Sequence, residues 1–125
     1  ILAMDTNEPH MIDGSLVISM EKLAERILQV ESFKFVYPYS NLLGEVKDIY
    51  SRYINTYFFG DLHDPNYDRQ TFKMKEEALQ EFENALEKYH YTYFADIIRF
   101  FVDSLKENNY IVDDSIRNKL QERLN

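Results

Sequence analysis

The chain lacks cysteine and tryptophan and has three glycines and three prolines among its 125 residues. Without cysteine there is no disulfide framework, no thiolate metal site and no cysteine nucleophile. Gly14, Gly44 and Gly60 are too few for a phosphate-cradling loop or a dinucleotide-binding turn. Positive charge is also in deficit, with 14 Lys and Arg against 22 Asp and Glu and a net charge of −8. A chain with that balance is a poor general binder of phosphate backbones, so nucleic acid is not an expected partner. No run reaches the roughly 18 apolar residues of a membrane span. The first 18 residues carry Asp5, Glu8 and Asp13 but no Lys or Arg, unlike a secretory signal. A cytoplasmic protein without a membrane association is the expectation.

What is present is apolar and aromatic: 45% of the residues are hydrophobic, and ten Tyr and nine Phe make up 15%. This length suits one domain, read as residues 19–125, with an N-terminal extension over 1–18. Met4, Met11 and Met20 are each possible starts. His10-Met11 resembles a cloning junction, so residues 1–10 are set aside as foreign in part.

Glycine and proline stop at Pro65, which leaves the second half without a strong helix breaker. Strand signals are confined to Leu16–Ile18 and Phe33–Tyr37, and both adjoin better helical patterns. No Asn-Gly or Asp-Gly turn is read between alternating runs, so no hairpin is expected. The fold class is all-α, with four to five amphipathic helices in a single bundle.

The first helix is predicted to begin at Ser19, whose hydroxyl can cap a free amide. Met20, Leu23, Ile27 and Val30 form its apolar face; it is expected to end near Glu31 to Phe35, since Pro38 pushes Tyr37 away from helical angles. The second is predicted to open at Ser40, with Leu43, Val46, Ile49, Tyr50, Tyr53, Ile54 and Tyr57 as its stripe. Gly60 is placed to end it at a positive φ. Thr71 or Asp68 is predicted to cap the third. From there to Asn108 the apolar pattern barely pauses. This is either one long helix over 71–108 or two helices, and the preferred break is the aromatic, β-branched stretch Tyr89–Tyr93. A last helix is predicted from Asp113 or Asp114, with the stripe Ile116, Leu120 and Leu124.

Glu77–Leu86 is similar to the second helix of a tetratricopeptide repeat through Ala78, Phe82 and Ala85. The following proline is missing, with His90 near its place, and there is no second copy at a spacing of about 34 residues. The stretch reads as an ordinary amphipathic helix.

Two groups of side chains have metal-ligand chemistry. Glu87 and His90 share a helix face at i, i+3, the spacing of di-iron bundles, but those sites need two such motifs. Asp61, His63, Asp64 and Asp68 crowd one loop without the spacing of a calcium loop and read as a polar turn. None of the seven serines and three histidines stands in a nucleophile elbow. No catalytic residue, cofactor or metal ligand is therefore assigned. Tyrosines with Lys73, Lys75, Lys88, Arg99 and Lys106 could form a base-stacking platform, against the overall charge.

The aromatic surplus is the stronger signal. One member each of Phe58/Phe59, Tyr89/Tyr91/Tyr93 and Phe100/Phe101 is expected to fall off the main helix face. The functional expectation is a non-catalytic protein-interaction or regulatory domain that uses an aromatic helix face, with a protein partner or a second copy. The interface residues are Tyr89, Tyr93, Phe100, Phe101, Ile116, Leu120 and Leu124, and the last helix is the most separable element. One alternative is an acidic inhibitor or immunity-type protein covering a basic site. A second is a metal-dependent enzyme built on His63, His90 and nearby carboxylates.

Overall fold

The computed structural model describes residues 9–12 and 14–125. The chain is all-α, as predicted: the described residues form five helices of the bundle class with only a minor two-stranded sheet. It forms two compact units, 1–64 and 65–125. Among the described residues no helix is long and apolar enough to cross a membrane.

The first unit holds β1 (Met11–Ile12), β2 (Ser15–Leu16), α1 (Met20–Val36) and α2 (Leu43–Phe59). Ser19 caps α1 as predicted, its hydroxyl accepting from the Lys22 amide at 3.0 Å. The predicted stripe Leu23, Ile27 and Val30 is fully buried and packs on α2, where Tyr53, Ile54, Tyr57 and Phe58 are fully buried too. Each such side chain contributes roughly 1.5–3 kcal/mol of transfer free energy. Gly60 ends α2 at φ 81°, ψ −162°, a region open to glycine alone.

Two expectations for this unit are corrected. α2 begins at Leu43 and not at Ser40, because the Ser40 hydroxyl accepts from the Leu42 amide (3.1 Å) and holds a preceding turn. A hairpin also forms, with Met11 opposite Leu16 and Ile12 opposite Ser15. The sequence between those strands is Asp13-Gly14, a favoured two-residue hairpin pair, and Gly14 sits at φ 82°. The signal was missed because strands of two residues show no alternation. His10, read as part of a cloning junction, is buried with its ring edge-on to Tyr53 (centroids 4.8 Å apart). The possible start at Met4 and the rest of residues 1–8 lie outside the described residues.

The second unit holds α3 (Glu76–Lys88), α4 (Tyr93–Glu107) and α5 (Asp114–Leu124). α3 and α4 are separate helices, so the long-helix option over 71–108 is excluded. Thr92 makes the break: its hydroxyl donates to the Tyr89 carbonyl (2.8 Å) and accepts from the Ala95 amide (3.1 Å). One side chain thereby closes one helix and caps the next. Ala78, Phe82 and Ala85 of α3 meet Phe94, Ile97, Ile98, Phe101 and Leu105 of α4 in the core, with the Phe82 and Phe101 rings edge to face at 5.8 Å. Asp113 caps α5, accepting from the Ile116 amide at 3.1 Å.

The predicted cap for α3 is wrong. Asp68 accepts from the Gln70 and Thr71 amides and closes a turn. The chain then runs extended, Lys73 bridges Ile111, and α3 starts only at Glu76. Phe72 and Tyr110 flank this bridge at φ 61° and 63°. Such angles cost a side chain about 1–2 kcal/mol each. Backbone bonds from Val112 N to Phe72 O (2.7 Å) and from Met74 N to Tyr110 O (2.8 Å) hold them.

Candidate functional site

Among the described residues of the first unit, large exposed apolar side chains cluster at the turn between α1 and α2. α1 stops at Val36, and Pro38 cannot donate to continue it. The Ser40 amide then bonds the Tyr37 carbonyl (3.2 Å) and the Leu43 amide bonds the Ser40 carbonyl (3.2 Å), so the reversal is tight. It leaves Phe35 88% and Tyr39 98% exposed, with Val36, Tyr37 and Leu42 also in solvent. Exposed large apolar residues clustered this closely mark a contact surface more often than scattered ones do.

The turn is also almost free of charge. From Ser32 to Gly44 the only charged residue is Lys34, in a chain of which 29% is charged. Its ammonium lies 4.5 Å from the centroid of the Tyr50 ring. Burial and the nearby Lys47 push its pKa down, against the pull of Glu31. Tyr50 in turn donates to Glu31 Oε2 at 2.6 Å. The one cation is thus engaged beside the helices, and the tip carries none.

The interface residues named from the sequence divide in two. Phe101, Ile116 and Leu120 are buried in the core of the second unit. Tyr89, Tyr93, Phe100 and Leu124 keep exposed or half-exposed surface. Arg123 donates to the Tyr93 hydroxyl at 3.2 Å and lies over the Tyr93 and Phe100 rings. Tyr91, at the α3–α4 turn, is 93% exposed, as expected of one member of its set. Phe58 and Phe59 are both buried, against expectation, because the end of α2 is enclosed on more than one side.

The two metal-ligand groupings do not assemble. Among the described residues no group of three or more His, Asp or Glu could hold a metal ion. His90 faces the Glu87 carbonyl (Nδ1 to O, 3.1 Å) rather than its carboxylate, and its ring lies tilted against Tyr91, with centroids 4.1 Å apart. Asp61 is a cap: Oδ2 accepts from Leu16 N (2.6 Å), and Oδ1 from His63 N (2.8 Å) and Asp64 N (2.6 Å). Partial desolvation raises its pKa, but the three amides outweigh it and hold the carboxyl below the usual range. The metal-enzyme alternative on His63 and His90 is therefore not supported. In the stacking set, Lys88 already lies over Tyr89 and Arg99 is paired with Asp96 at 2.7 Å.

The reading of the sequence missed the α1–α2 turn as a surface. In the sequence Phe33–Tyr37 reads as a strand candidate and Pro38 only as a boundary. The available signal was the uncharged run around an exposed proline. Comparison with protein-family models, curated proteins and solved structures gives no match.

Proposed function

We propose that the chain is a non-catalytic protein-interaction domain that associates with a second copy of itself through the uncharged aromatic turn between α1 and α2. The observation that carries this reading is the pairing of Phe35 and Tyr39, almost wholly exposed, with the absence of any acidic residue from Ser32 to Gly44. Two molecules of net charge −8 repel each other. Contact costs least where no carboxylates are brought together and apolar area is removed from water. The turn meets both conditions. Engagement of Asp61 and His90 in backbone contacts supports the non-catalytic part.

The test is the solution mass by light scattering, for the wild type and for Phe35→Ser/Tyr39→Ser. Both side chains are exposed, so the double variant keeps its helical circular dichroism. The expected result is a wild-type dimer and a monomeric variant. A wild-type monomer at every accessible concentration, or a dimer untouched by the double substitution, ends the reading.

The net charge supports a second reading, an acidic protein that covers a basic site of a partner. Salt separates the two. Self-association of like-charged chains strengthens as salt screens them, whereas binding to a basic partner weakens.

A further inference from the structure

The second unit has a cleft of about 290 Å³ lined by Lys73, Glu76, Leu79, Gln80, Glu83, Val102, Lys106 and Tyr110. Its walls follow from the α3–α4 hairpin. Glu76, Leu79, Gln80 and Glu83 stand at i, i+3, i+4 and i+7, one stripe along α3. The short connection returns α4 antiparallel to α3, which brings Lys106, near the end of α4, to the start of α3. Lys73 reaches the same end from the extended segment before α3, and Tyr110 reaches it from the bridge opposite. Leu79 and Val102 are half-buried and give the cleft an apolar wall.

The charges are separated along it. One end carries Lys73 and Lys106 against Glu76, and the other carries Glu83. From Glu76 to Glu83 the α3 stripe rises by seven steps, or about 10 Å at 1.5 Å per residue. An extended tripeptide spans about the same length. The segment that sets Tyr110 on the rim is held at a positive φ by its neighbours, so this edge is built and not loose.

We propose that this cleft binds a short zwitterionic peptide, with its carboxylate toward Lys73 and Lys106, its ammonium toward Glu83, and an apolar side chain on Leu79 and Val102. The site is independent of the α1–α2 turn and draws on no residue of it.

The test uses the full chain, labelled with nitrogen-15, titrated with the tripeptide Ala-Leu-Ala and with its N-acetylated and C-amidated forms. The expected result is saturable movement of the Gln80, Val102 and Tyr110 amide signals by the free peptide. Each capped form, and each of Lys73→Gln, Lys106→Gln and Glu83→Gln, should bind about tenfold more weakly. The three substituted side chains are at the surface, and unchanged signals elsewhere verify the fold of each variant. No saturable movement up to about 10 mM peptide overturns the proposal. So does equal binding of the capped forms, or of all three variants, since the charges would then play no part.

Discussion

Asp61 joins three backbone amides, from Leu16, His63 and Asp64, at 2.6–2.8 Å. The two local bonds were legible, since an aspartate in a polar loop caps amides two and three residues on. The third was not, because Leu16 lies 45 positions away and no local pattern records it. The depressed pKa sets the sign of the pH dependence. A carboxyl whose folded pKa lies below its unfolded value adds stability that is present above the unfolded pKa. That stability is lost as pH falls through the folded one. Asp61→Ala should therefore lower stability by about 1 kcal/mol at neutral pH, a modest figure because the site is partly wet. The difference should shrink on acidification below about pH 4. Urea midpoints of both proteins across that range check it, and a gap that stays constant down to low pH would assign the loss to something other than the charged carboxylate.

At the scale of the element, legibility followed the length of the periodic pattern. The stripes of α1 and α2 named most of the core of the first unit, and Ser19, Gly60 and Asp113 marked real helix ends. The failures are short elements whose cause is not local. The hairpin at 11–16 has strands of two residues. The start of α3 was set too early because Asp68 and Thr71 have capping chemistry, while pairing of Lys73 with Ile111 keeps the chain extended to Lys75. The last helix was expected to be separable. Its Ile116 and Leu120 are instead 1% exposed in the core of the second unit, and Asn108 ties the loop before it through Asp113 at 3.1 Å. Leu120→Ala should cost about 2–5 kcal/mol, read from thermal or urea unfolding. Truncation after Asn109 should remove more helical ellipticity than the 11 residues of α5 account for. A loss limited to those residues would restore α5 to the status of an appendage.

At the scale of the whole molecule, the net charge was legible at once but its consequence for association was not. The number −8 says that copies repel. Where they can nonetheless meet depends on which stretch lacks carboxylates and also stays uncovered by the fold. The run from Ser32 to Gly44 satisfies the first condition in the sequence, and only the tight reversal at Pro38 shows that it satisfies the second. This makes the electrostatic part of self-association separable from the apolar part. Lys34→Glu takes the net charge from −8 to −10 and places a carboxylate beside the turn without touching Phe35 or Tyr39. At low ionic strength the variant should dimerise less than the wild type. The Debye length falls from about 30 Å at 0.01 M salt to about 8 Å at 0.15 M, so added salt should restore most of the difference. Phe35→Ser/Tyr39→Ser should stay monomeric at both, because salt cannot replace lost apolar area. Sedimentation equilibrium of the three proteins at the two salt concentrations reads all of this. If Lys34→Glu dimerises as the wild type does at low salt, the contact lies elsewhere on the molecule, and the turn loses its claim to be the surface where two copies meet.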